Sequence, residues 1–149
     1  MKKKITLLAL SAMLFALCLP AVAQQQTKVL RIGFLAGTKP AAVAARVAAF
    51  RQGLRELGYV EGKNIVIEWR YAEGKADRER ELAAELARLK VNIIVTAGPS
   101  VTRAAKEATT TIPIVFAQDG DPVASGFVAS LARPGGNITG LSTLAPELS

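Results

Sequence analysis

The sequence predicts a three-layer α/β/α domain built on a mainly parallel sheet. Three observations carry that prediction. Short apolar runs alternate with segments whose apolar residues recur at helical spacing. The connections between runs are long enough for the crossovers that parallel neighbours require. Clusters of Gly, Pro, Asn and Asp separate the runs. A chain of 149 residues, half of them hydrophobic, suits one domain of this kind.

Each element has its own signal. Val29 to Leu35 (VLRIGFL) is the first buried strand, and residues 36–40 turn the chain. Val43, Val47, Phe50, Leu54 and Leu57 then fall on one helical face, and Gly58 stands where a helix C-cap glycine belongs. Gly62-Lys63-Asn64 turns into a second strand, Ile65 to Trp69. Asp77 is placed to cap a second helix with Leu82, Leu86 and Leu89 facing the core. Asn92 to Ala97 is apolar enough to be a strand buried on both faces. Gly98-Pro99-Ser100 leads into a third helix, Val101 to Ala108, which the β-branched Thr109 to Thr111 end. Ile114 to Phe116 is the fourth strand.

The stretch from Ala117 to Thr143 organises the rest. Asp121-Pro122 is a helix-start signal, because Asp accepts from first-turn amides and Pro tolerates the first helical position. Val123, Phe127 and Leu131 recur every four residues, which predicts a fourth helix. Pro134-Gly135-Gly136-Asn137 stops it and turns the chain into a fifth strand, Ile138 to Ser142.

The N-terminus reads separately. Lys2 to Lys4, an apolar Ile5 to Leu19 and a small-x-small Ala21-Val22-Ala23 together predict a signal peptide over residues 1–23, cleaved after Ala23 into the periplasm. The apolar run is shorter than the roughly 20 residues a spanning helix needs. Cys18, the single cysteine, lies in this leader after Leu17, whereas a lipoprotein site needs a small residue there. Residues 24–149 then carry no cysteine and, like the whole chain, no histidine. That excludes thiol nucleophiles and thiolate metal sites and removes the commonest general base and metal ligand. No metal or cofactor is expected. Of the seven net positive charges, three belong to the leader lysines. The remaining arginines, among them Arg46, Arg51, Arg55, Arg78, Arg80 and Arg88, alternate with Glu as a solvated surface does. There is no basic stripe with interleaved aromatics, so nucleic acid is not an expected partner.

In a parallel sheet the turns leaving the strand ends meet at one edge, where ligands bind. Here these are residues 36–40, 97–100 and 117–121. Helix N-termini at that edge favour a carboxylate. Asp119 and Asp121 favour an ammonium. Both signs at one edge suit a zwitterion such as an amino acid. The candidate contacts are Thr38, Gly98, Ser100, Asp119, Asp121 and Thr139. Asp121 and Ser100 read first as helix caps and second as contacts, and Gly98 reads first as a turn glycine. Asp119 has no structural task in this reading. Enzyme signals are weak: Gly33 and Gly37 do not make a G-x-G-x-x-G, and there is no phosphate-loop lysine or G-x-S-x-G elbow. Only the Asp119/Asp121 pair offers carboxylate chemistry, so no catalytic residue is assigned.

Four blocks carry a family resemblance: RIGFL at Arg31–Leu35, GLRELGYVEGKNIVIEWRYAEG at Gly53–Gly74, VNIIVTAGPSVTRAAKEATTTIPIVFA at Val91–Ala117, and DPVASGFVASLARPGGNITGLS at Asp121–Ser142. The sequence resembles the bacterial ABC-transporter substrate-binding family that includes tryptophan/tyrosine-type binding proteins. The resemblance implies a type I periplasmic-binding fold, with two α/β lobes closing on a small-molecule ligand. It implies an aromatic amino acid as the ligand class, an ABC permease in the inner membrane as partner, and no catalysis. Such proteins are longer than this chain. Residues 24–149 are therefore expected to be an N-terminal lobe that stops, at 144–149, near the crossing to a second lobe. A single-lobe sensory or interaction domain without a transport role is the alternative.

Overall fold

The computed structural model describes residues 29–143. The leader with Cys18, and residues 144–149, lie outside them. The described chain runs β1 (Leu30–Ala36), a 3-10 turn (Pro40–Val43), α1 (Ala44–Glu56), β2 (Ile65–Tyr71), α2 (Ala76–Arg88), β3 (Ile93–Ala97), α3 (Pro99–Ala108), β4 (Ile114–Asp119) and β5 (Ile138–Ser142). The five strands form one sheet in the order β2-β1-β3-β4-β5, and every neighbouring pair is parallel. This is the expected α/β architecture.

The two faces of the sheet are covered differently. On one, α2 and α3 bury Leu82, Leu86 and Val101 against Leu35, Ile94, Ile114, Phe116 and Ile138. Gly33 makes this approach possible, since a Cβ there would stand 3.0 Å from the Leu86 methyls. On the other face, α1 covers β1, β2 and β3, burying Ile32, Phe34, Val47, Ile65, Ile67 and Val95, with Phe50 and Trp69 packed alongside. No residue of β4 or β5 belongs to this second cluster. Ile138 of β5 points to the α2/α3 face, so alternation turns Thr139 and Leu141 the other way. Both are exposed, Leu141 by 70%.

Helix ends explain several differences from the sequence reading. α1 stops at Glu56: Gly58 adopts φ +83° and Tyr59 N–H reaches back to the Leu54 carbonyl, which leaves Leu57 outside the helix and exposed. Asp77 is not the cap of α2. Lys75 holds that position, and Asp77 lies in the first turn, ion-paired to Arg80.

The largest correction follows β4. No helix forms between Asp121 and Leu131. Asp121 Oδ1 does accept from Ala124 N–H (2.9 Å), and Ser125 N–H bonds the Asp121 carbonyl (2.9 Å), so one helical turn starts. Gly126 then enters the left-handed region at φ +70°, and Phe127 N–H bonds back to the Pro122 carbonyl (2.9 Å). The segment continues as turns. Phe127 is buried, while Val123 and Leu131, its expected face-mates, are exposed. β5 therefore pairs with β4 across a helix-free crossover.

Candidate functional site

The ends of β3, β4 and β5 and the first two turns of α1 enclose a cleft of about 640 Å³. α1 contributes Arg46 and Ala49, the end of β3 contributes Ala97, and the start of α3 contributes its N-cap Gly98 and Pro99. The end of β4 contributes residues 117–120, and β5 contributes Leu141. The cleft lies at the carboxyl edge of the sheet, where open α/β folds bind ligands.

Two local devices shape it. The first is the turn at Gly98. Its φ of +124° and ψ of 150° belong to a region only glycine occupies readily, and it takes the N-cap position of α3. Thr102 Oγ1 donates to the Gly98 carbonyl (2.8 Å) and lies 2.7 Å from Thr96 Oγ1, so two fully buried threonines pin this turn. The second device is a bulge in β4. Phe116 pairs with Gly140 and Asp119 with Ser142, so β4 spends one more residue than β5 over the same span. The extra residue resets the alternation. Ala117 and Gln118 are both exposed and Asp119 turns inward, only 5% exposed.

Asp119 is the distinctive group of the cleft. Its Oδ1 accepts from Asp121 N–H (2.9 Å) and, at a longer 3.5 Å, from Ser125 Oγ. Its carbonyl accepts from Thr143 N–H (2.9 Å). It thus has a structural task that its place in the sequence did not disclose. Its Oδ2 is buried without a protein partner, as is Oγ of Ser142, the residue paired with it across the strands. Buried polar atoms are nearly always satisfied, so two orphans at one strand pair single out this strand end as a candidate contact point.

The structure brings Gly98 and Asp119 to one cleft. The other four sequence candidates are not among its lining residues. Asp121 is exposed and serves the turn described above. Thr38 is exposed in the turn after β1, and Thr139 is exposed in β5 opposite Val115. Ser100 is not a cap; it follows Pro99 inside α3, and its Oγ donates to Glu79 Oε1 (2.8 Å). That pair ties α3 to α2 beside Gly37, where a Cβ would stand 3.0 Å from the carboxylate oxygen and 3.4 Å from the hydroxyl.

Arg46, Gln118 and Leu141 line the cleft and were not among the sequence candidates. Arg46, grouped there with the solvated arginines, is exposed as expected and also lines the cleft. Its place in the first turn after a strand-to-helix connection was the available signal. Among the described residues no group of three or more His, Cys, Asp or Glu is placed to hold a metal ion. The displaced titrations lie away from the cleft. A hydrogen bond from Arg70 (2.8 Å) holds the Glu85 carboxyl below its usual range and raises Arg70 in turn. Burial pushes the Tyr71 phenol up.

Comparison with known families supplies the deciding observation: the family model described as ABC transporter substrate binding protein matches residues 32–147. The chain belongs to this family. A tyrosine-binding protein of Clostridioides difficile (strain R20291) is 34% identical over 93 residues, covering 62% of this chain and 27% of that protein. Two solved structures share the fold. One is the ligand-free, open structure of a substrate binding protein with adhesive properties from Clostridium difficile, with a TM-score of 0.74 and 31% identity over 78% of this chain and 40% of the other. The second is an ABC domain from Streptococcus pneumonia in complex with L-Trp, with a TM-score of 0.72 and 25% identity over 76% of this chain and 38% of the other. The chain spans well under half the length of these relatives. The family is one of binding proteins, not an enzyme class.

Proposed function

We propose that this chain is the N-terminal lobe of an exported solute receptor for an ABC importer, and that its cleft takes an amino acid with an aromatic side chain. The observation that carries this reading is Asp119, a buried carboxylate with one oxygen unpartnered at the edge of a sheet-end cleft. Such a group suits the ammonium of an amino acid, because a charged hydrogen bond would satisfy the orphan oxygen. Small apolar lining from Ala49, Ala97, Pro99, Ala117 and Leu141 leaves room and contact for an apolar side chain. The tyrosine-binding and L-Trp-bound relatives support the same ligand class.

Residues 1–23 act as the export signal in this reading, with cleavage after Ala23 and a periplasmic product. The receptor closes on its ligand with a second lobe and presents the closed form to an inner-membrane permease. The receptor itself performs no catalysis.

Titration calorimetry of the exported protein with L-tyrosine and L-tryptophan tests the reading. Saturable one-site binding, weakened at least about tenfold by Asp119→Asn, is the expected result, because a charged hydrogen bond is lost. Absence of binding to either amino acid would overturn the ligand assignment.

A further inference from the structure

We infer that Arg46 recognises the ligand's carboxylate, so that the cleft selects amino acids over the amines derived from them. This rests on the cleft being the amino-acid site proposed above. Arg46 and Asp119 are the only charged residues among those lining the cleft. They come from separate elements, the first turn of α1 and the bulged end of β4, and form no ion pair with each other. Among the described residues Arg46 makes no ion pair and no side-chain hydrogen bond. By contrast, Arg51 on the same helix is committed: it pairs with Glu61 at 3.1 Å and stacks 4.5 Å from the Trp69 ring centroid.

One cation and one anion, in a cleft whose other lining side chains are apolar or, at Gln118, uncharged, are matched by a ligand that carries one of each. A zwitterion neutralises both walls at once. An amine would satisfy Asp119 but leave the guanidinium facing no anion and close to a like charge. The planar, permanently charged guanidinium accommodates a carboxylate through two parallel N–H···O bonds, which an ammonium group cannot reproduce. The start of α3 is the competing carboxylate site, since Ser100 and Val101 lie in its first turn. The two assignments differ in what loss of Arg46 does.

The test compares L-tyrosine with tyramine, and L-tryptophan with tryptamine, by calorimetry on the exported protein, the Arg46→Gln and Arg46→Lys variants, and an Arg78→Gln control on α2. The inference expects wild-type protein to prefer each amino acid over its amine by at least about tenfold, the scale of one charged hydrogen bond. Arg46→Gln should lose about that factor for the amino acids and leave amine affinity unchanged or raised. Arg46→Lys should recover part of the loss, and Arg78→Gln should behave as wild type. Unchanged thermal midpoints of the unliganded variants separate these effects from misfolding. Equal losses for acid and amine, or no loss at all, would overturn the role of Arg46 while leaving the amino-acid reading intact. If neither L-tyrosine nor L-tryptophan binds wild-type protein, the reading of the site falls, and this inference falls with it.

Discussion

The face of the sheet that carries α1 has two halves built on opposite terms. Under α1, on β1 and β2, Phe34 sits 4.9 Å from Trp69, 5.9 Å from Phe50 and 6.3 Å from Tyr71, ring centre to ring centre. The polar edge of this cluster is satisfied too. Trp69 Nε1 donates to Glu61 Oε1 (2.8 Å), and Arg51 bonds the other oxygen. The β4/β5 half contributes nothing to that cluster and exposes Thr139 and Leu141, while the orphaned oxygens of Asp119 and Ser142 lie at the paired strand ends beside it. Dense packing with full polar satisfaction makes stability. Unsatisfied polar groups beside open apolar surface are retained where binding supplies the missing partner. On the proposed reading, stability and ligand recognition are therefore separable, and substitutions can be chosen to strike one half at a time.

The largest effect is expected in the packed half. Phe34→Ala removes a 3% exposed ring at the centre of the aromatic cluster, a change that costs about 3–5 kcal/mol in buried cores. Urea denaturation should show that loss, while the fraction still folded binds L-tyrosine as wild type does. A parallel fall in affinity would mean that the halves are coupled.

Gly140→Ala strikes the seam at the β4 bulge. A Cβ at Gly140 would collide with the Phe116 carbonyl oxygen and ring. Forced overpacking costs about 1–3 kcal/mol. Because Gly140 and Asp119 flank the same bulge, denaturation and calorimetry should show stability and ligand affinity falling together. A loss of stability alone would detach the bulge from the site.

The smallest effect belongs to the Arg70–Glu85 pair, which lies in neither half. Arg70 holds the Glu85 carboxyl below its usual range in the folded chain. The stabilisation is thus fully present above the unfolded carboxyl's titration and is lost as pH falls through the depressed folded value. Glu85 is 39% exposed, so solvent limits the pair to about 0.2–1 kcal/mol. Glu85→Gln should lower stability by that amount near neutrality and by nothing in acid, measured as urea midpoints across pH. A pH-independent loss would point to packing instead.

The strands, three helices and parallel order were legible because their signals are long and repeated. The Val43-Val47-Phe50-Leu54 stripe and the apolar run at Ile93–Val95 leave little choice. The segment after β4 misled because Val123, Phe127 and Leu131 sample helical spacing at only three points. Gly126, at positive φ between them, turns the chain away before a helix can form. The site was half legible for a related reason. Asp119 and Gly98 follow from strand ends, which sequence places well. Arg46 and Leu141 reach the cleft through the way α1 lies on the sheet, which the sequence marks only by the place of Arg46 just after a strand-to-helix connection.

The most direct test of this account is a calorimetric titration of L-tyrosine into wild-type and Asp119→Asn protein, with thermal midpoints of both unliganded forms. Asparagine keeps the Oδ1 acceptor for Asp121 N–H and removes the charge. The account predicts nearly equal midpoints and at least about a tenfold loss of affinity in the variant. Equal affinity, or a midpoint that collapses while the surviving fold binds normally, would make Asp119 a structural residue and contradict the assignment of the cleft.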